Sequence, residues 1–149
     1  MNALSPLPHD PASSDPAALY ALYLHHDHRR PGYAEAALAR ARRGLPRGAA
    51  VLDRSGLYPR ESLAGTVESV RPVDAVVLVG KRPRDKHTTG LDPRIDLDPT
   101  QREIAELALE SSVAVLVMAH DGELHPLERC RRTDVRGGMR LVPPEAHER

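Results

Sequence analysis

Two segments, "VDAVVLVG" at 73–80 and "VAVLVMA" at 113–119, restrict this chain more than any other feature. A strand with one wet face alternates apolar and polar residues, whereas these run on in Val, Leu and Ala with almost no interruption. Such a run predicts a strand covered on both faces, which is the situation of a strand inside a parallel sheet clad by helices. The stretch before the second run supplies a helix. Asp98 offers an N-cap and Pro99 occupies the first helical position, a strong start signal. Ile104, Leu107 and Ala108 then fall at i, i+3 and i+4, giving a buried stripe that ends near Ser111.

The same logic extends toward the N-terminus. "ALYLHH" and "AAVLD" predict two further strands, separated by the alanine-rich helix of "GYAEAALARARRGLPRG", which stops at Gly44 ahead of Pro46. "ESLAGTVESV" places Leu63, Val67 and Val70 at helical spacing, and Pro72 closes it. Near the other end, "GGMRLVPP" predicts a short edge strand and "EAHER" a helix start cut short. The order β-α-β-α-β-α-β, with a possible fifth strand, specifies an α/β fold with a parallel sheet. No Phe or Trp and only four Tyr occur in 149 residues, so Leu, Val, Ile and Ala must build its single core. Residues 1–16, with four prolines among Ser and Asp, predict a flexible leader; the domain spans 17–142, and 143–149 form a tail.

Several function classes are disfavoured at once. Lys and Arg total 21 and so do Asp and Glu, so no overall field draws the chain to nucleic acid or to an anionic membrane. No apolar stretch approaches the ~18 residues that span a bilayer. The single cysteine, Cys130, excludes an intrachain disulfide framework and fits a reducing cytoplasm. No Cys/His spacing forms a zinc site, and in "HHDH" adjacent strand residues point to opposite faces, so no metal is assigned. "VGKRPRDKH" has a Gly-Lys after a strand but lacks the upstream glycine and following Ser/Thr of a phosphate loop.

In a sheet of this kind ligands bind beyond the carboxyl ends of the strands, where the strand order reverses. The loop after the first strand, with His25, His26 and Asp27, is one expected wall. The polar segment 81–98, containing Arg82, Arg84 and Lys86, is the other, and it is too long for an ordinary connection. Glu103 is placed by this reading in the first turn of the helix that follows, near the same mouth; Glu106 and Glu110 lie one and two turns further away. A carboxylate there is held ionised by the helix dipole and suits the stabilisation of positive charge. The chemistry that needs a lone carboxylate is cleavage of a glycosidic bond through an oxocarbenium-like transition state. The structural alternative for the three glutamates is a solvated helix face.

The pieces "ALYLHHDHRR", "LDRSGLYPRESL", "VDAVVLVGKRP" and "LDPTQREIAEL", followed by "VAVLVMAHDGELHP", together resemble a bacterial-type TIR (Toll/interleukin-1 receptor/resistance protein) domain over roughly residues 20–142. The resemblance implies a flavodoxin-like three-layer parallel sheet of order 2-1-3-4-5, helices on both faces with the last one short or missing, and homo-oligomers formed through like domains. It also implies cleavage of NAD, as substrate and with no cofactor, to nicotinamide and ADP-ribose or a cyclised form, in bacterial defence or effector signalling. Glu103 matches the family's catalytic glutamate; His25, His26, Asp27, Asp53, Tyr58, Arg60 and Arg82 would border the substrate, with Asp53 to Ser62 as a lid. The chain departs from the family pattern in lacking the Ser-x-Trp element before the glutamate helix, in carrying Arg60 where Gly is usual, and in its final helix. Those departures open a second reading, an inactive adaptor that assembles through "LYPRES". A third is a nucleoside deoxyribosyltransferase-like N-glycosidase, whose glutamate also sits on a helix after a buried strand, behind a Gly-Thr that here reads "DPTQRE".

Overall fold

The computed structural model describes residues 20–26, 31–53, 55, 73–83 and 92–144. The expected helix over "ESLAGTVESV", the leader and the "EAHER" segment lie outside these residues, as do Asp27, Tyr58 and Arg60.

Strand β1 (Tyr20–His25) is followed by helix α1 (Pro31–Gly44) and strand β2 (Ala50–Asp53). β3 (Ala75–Val79) and β5 (Ala114–Met118) are the two apolar runs, and every residue of β3 is buried. Between them lie β4 (Ile95–Leu97) and helix α2 (Pro99–Glu110); after β5 come β6 (Leu124–Pro126), one turn of 3-10 helix, β7 (Arg131–Val135) and β8 (Gly138–Val142). The chain is thus a mixed α/β fold with two helices among the described residues. Its main sheet has five strands in the order β2-β1-β3-β5-β6, the first four parallel and β6 antiparallel to β5.

Two expectations are corrected here. The "GGMRLVPP" strand exists, as β8, but it does not join the main sheet; it pairs with β4 and β7 in a separate antiparallel sheet of order β4-β8-β7. The last place in the main sheet goes to β6, because the tight turn after β5 returns the chain at once to that strand's edge. Segment 81–98 is likewise not all loop. Ile95 and Leu97 are fully buried, and the Asp96 between them is drawn outward to Arg140 on β8 through hydrogen bonds of 2.8 and 3.1 Å.

Strand periodicity sorts the core into two clusters. Leu22 and Leu24 of β1, Val76 and Leu78 of β3, and Val115 and Val117 of β5 face Ile104, Ala105 and Ala108 of α2 together with Ile95, Leu97, Met139 and Leu141 of the second sheet. The intervening residues, Ala21, Tyr23, Ala75, Val77, Val79 and Met118, face Ala37 and Ala41 of α1. Among the described residues, one face therefore carries a helix plus a sheet and the other carries helix α1.

Helix α2 is well specified at both ends. Asp98 accepts from the Gln101 backbone N–H at 2.9 Å while Gln101 Oε1 accepts from the Asp98 N–H at 3.2 Å, a reciprocal capping box behind Pro99. At the other end Val113 N–H bonds the Ala108 carbonyl and Ser112 N–H the Leu109 carbonyl, with Ser112 at φ 60°. That is the Schellman arrangement, and its apolar residue, Val113, leads straight into β5.

Two glycines allow the sheets to approach. A Cβ on Gly80 or on Gly138 would strike the Asp96 or Leu97 carbonyl oxygen, so both positions must lack a side chain for β4 to pass. Beside Gly80, Lys81 and Asp96 exchange backbone hydrogen bonds of 3.0 and 2.7 Å, joining the end of β3 to β4.

Candidate functional site at the carboxyl edge of the sheet

The order reverses between β1 and β3, and the carboxyl ends of these strands are tied together by polar side chains. Val79 is the hub: its carbonyl accepts from the His26 backbone N–H at 3.0 Å, from His26 Nδ1 at 3.2 Å and from Gln101 Nε2 at 3.0 Å. Because a carbonyl only accepts, His26 carries its proton on Nδ1 in this arrangement. Gln101 Nε2 also approaches the Leu24 carbonyl at 3.5 Å, so a single amide spans the gap between the two strand ends. Gln101 is fully buried, and the Asp98 carboxyl beside it is pushed up by burial, against the opposing pull of the Gln101 and Thr100 N–H groups and of His26.

On the β2 side, His25 N–H donates to Ser55 Oγ at 2.8 Å and Ser55 N–H donates to Asp53 Oδ1 at 2.9 Å. Asp53 thus caps the turn after β2 and braces β1. The His25 ring is buried; it stacks on His26 at 4.8 Å and meets the edge of Tyr33, from α1, at 4.8 Å. Tyr23, under the same helix, has a hydroxyl with no hydrogen-bond partner among the described residues. Burial above all, then Asp53 and Tyr33, pushes its ionisation far up.

A cleft of about 240 Å³ opens on the α1 side of this edge, at the ends of β3 and β5. Val79, Met118 and Ala37, all buried, form its floor with Gly80; Tyr33, at 41% exposure, and the exposed Arg40 and Arg82 stand at its rim. His120, which follows β5, completes the wall. Its Nε2 donates to the Arg94 carbonyl at 2.7 Å, and burial pushes its pKa down, opposed by that hydrogen bond and by Asp92 and Asp121. Arg94 in turn holds Asp92 through a 2.6 Å ion pair, which depresses the Asp92 carboxyl. Among the described residues no carboxylate lines the cleft.

The sequence-nominated residues divide accordingly. His25, His26, Asp53 and Arg82 do converge on the carboxyl edge. Glu103 stands apart from them. With Asp98 as N-cap, the first turn of α2 contains no acidic residue, so Glu103 opens the second turn rather than lying in the first. It projects about 200° around the helix from the buried Gln101 and is exposed. Glu106 pairs with Arg102 at 3.4 Å, and Glu110 is exposed at the helix end. Gln101, Ser55, Arg40 and His120 were not nominated. Only Gln101 carried a usable signal, its place three residues after the N-cap Asp98.

Among the described residues no group of three or more His, Cys, Asp or Glu side chains is placed to hold a metal ion. Among the described residues, no helix is long and apolar enough to cross a membrane. The Cys130 thiol is pushed up to about 11 by burial, which removes its nucleophilic character near neutral pH. No family model, no curated protein and no solved structure matches this chain.

Proposed function

We propose that this chain is a TIR-like enzyme that takes NAD at the carboxyl edge of its main sheet and cleaves the bond between nicotinamide and ribose. The observation that carries the reading is the reversal of strand order between β1 and β3, with His25 and Asp53 closing their strands and His26 and Arg82 following theirs at the same edge. The parallel succession β2-β1-β3-β5 supports the reading, while the antiparallel β6 in the fifth place departs from the all-parallel order that the resemblance implies. In this reading Glu103 is the carboxylate that stabilises the ribosyl cation. The C1′–N bond breaks with its electron pair going to nicotinamide, which leaves neutral. Water then adds to C1′ and gives up a proton, leaving ADP-ribose. Because Glu103 is exposed on the α2 side, the nicotinamide ribose would cross the edge from the α1-side cleft to reach it.

A second reading is favoured by a specific observation. Gln101 fills the gap between β1 and β3, and Glu103 lies outside it, which is the arrangement expected of an assembly module that binds without cleaving. One experiment separates the two. Nicotinamide release from NAD by the full chain, followed by chromatography at high protein concentration, is expected to proceed and to vanish in Glu103→Ala and in Glu103→Gln with the circular dichroism spectrum unchanged. Absence of release from the wild-type chain, with oligomers present in solution, makes it the module. Release that survives both substitutions assigns the chemistry to another carboxylate.

A further inference from the structure

We propose that the cleft between α1 and the ends of β3 and β5 is a phosphate-binding site, taking the pyrophosphate or terminal phosphate of a nucleotide between Arg40, Arg82 and His120. The inference shares the carboxyl edge with the proposed reaction but depends on none of its chemistry. It adds Arg40 and His120, which no reading of the sequence singled out.

Three features point to this class of ligand. The first is charge. Arg40 comes from α1, Arg82 from the chain after β3 and His120 from the chain after β5, so three nitrogen-bearing side chains from three separate elements border one cavity, and none of its lining residues among those described is a carboxylate. Arginine forks meet phosphate oxygens in pairs, which suits two guanidinium groups on the rim of one hollow. The second feature is size. A volume of 240 Å³ is room for about eight waters at ~30 Å³ each. That is below the roughly 300 Å³ at which pockets for whole drug-sized ligands begin, and it suits a phosphate or pyrophosphate with the rest of the ligand outside. The third is the rim. Tyr33 presents an exposed ring beside the opening, its inner edge braced by His25 and His26 at 4.8 and 5.8 Å, so a base or sugar leaving the cleft meets a fixed aromatic surface.

Arg40 is held in place for this role. A Cβ on Gly122 would lie 2.7 Å from Arg40 Cδ, so the arginine stem lies against the bare backbone of the β5–β6 turn. Gly122 sits at φ +95°, where a side chain is disfavoured in any case. Arg82 is tethered through Nη1 to the Asp92 carbonyl at 3.1 Å, which fixes one side of its fork. His120 is faced by Arg82, Asp92 and Asp121 and donates to the Arg94 carbonyl; Tyr33 and Arg40 approach from α1. An anion in the cleft favours the imidazolium, so binding takes up a proton and tightens as the solution is acidified toward pH 6.

The test is calorimetric titration of the full chain with inorganic pyrophosphate, phosphate and ADP, with succinate as a carboxylate control, at two salt concentrations and at pH 6 and 8. Saturable binding of pyrophosphate and ADP is expected, weaker at high salt, stronger at pH 6, and about tenfold weaker in Arg40→Ala and in Arg82→Ala. Both arginines are exposed, so unchanged thermal unfolding is expected to show that the variants fold. Glu103→Ala should bind pyrophosphate as the wild type does. Absence of pyrophosphate and ADP binding, binding indifferent to both arginines, or equal binding of succinate overturns the proposal. Nicotinamide release without pyrophosphate binding would overturn this inference while leaving the enzymatic reading intact, and binding without release would do the reverse.

Discussion

The two faces of the main sheet are built to different standards. On one, α2 and the β4-β8-β7 sheet together cover Leu22, Leu24, Val76, Leu78, Val115 and Val117, and the cover itself contributes Ile95, Leu97, Ile104, Met139 and Leu141, each 1% exposed or less. On the other, the described cover is α1 with Ala37 and Ala41, the partly buried Leu38, and Leu45 just beyond the helix, opposite a buried Tyr23 whose hydroxyl has no partner among the described residues. The sealed face is where burial accumulates, at about 1.5–3 kcal/mol for each large aliphatic side chain. The lightly covered face is where the cleft opens. Stability and access are thus assigned to opposite sides of a single layer of strands.

This contrast can be broken most severely at its strong side. Leu141→Ala removes a fully buried side chain from between the two sheets and should cost about 2–5 kcal/mol in chemical denaturation. A loss below about 1 kcal/mol would mean that the second sheet is not docked as described. Gly80→Ala tests the seam between the faces. Its new methyl must displace the β4 backbone at Asp96, so a loss of about 1–3 kcal/mol is expected, together with weaker pyrophosphate binding in the adjoining cleft. Tyr23→Phe should act in the opposite direction. It deletes a buried hydroxyl that has no partner among the described residues, and a gain of about 1 kcal/mol in unfolding free energy is expected. A loss instead would reveal a partner for that hydroxyl and make the α1 face better built than it is drawn here.

The smallest effect concerns pH. Burial lowers the pKa of His120 below its ordinary 6.5, so in the window beneath 6.5 the unfolded chain binds the proton more readily than the folded one. Stability should therefore fall as pH drops from 6.5 through the folded value, and His120→Gln should flatten this part of the profile. Asp92, depressed by Arg94, acts at lower pH: its contribution is present above 3.8 and is lost as pH falls through its folded value. Unfolding midpoints measured from pH 7 to 3 separate the two windows.

What the sequence made legible followed from physical signals of adequate length. β3 and β5 were readable because each is an uninterrupted run of five apolar residues, rich in valine and too short for a helix, and α2 because Asp98, Pro99 and the Ile104 stripe agree with one another. β4 was missed because Ile95, Asp96 and Leu97 give a single period of alternation inside a polar stretch, too short to stand out against its neighbours. The β7–β8 hairpin hid for a different reason. Its two-residue loop is Arg136-Gly137, both at positive φ, where Asn-Gly is the familiar signal and an arginine at φ 42° is not. At the site, Arg82 and the two histidines were legible from their positions after strands. Arg40 was not, since an arginine near the end of a helix is already explained by the helix dipole. Glu103 was located on the right helix but one turn too early: the Asp98 cap was legible, yet five residues beyond it a side chain has already left the first turn.

That hairpin also sets an order of events. Its strands are separated by two residues, the shortest hairpin loop among the described residues, so it closes on the timescale of ~1–10 μs typical of hairpins. By contrast β1 must find β3 across more than fifty residues, a search that proceeds orders of magnitude more slowly. The three-residue β4 has little to hold it alone, and it acquires a complementary edge only once β8 is in place. The β7–β8 hairpin is thus poised to act as an early template on which a three-residue strand from earlier in the chain is laid down, so that a later segment organises one that precedes it.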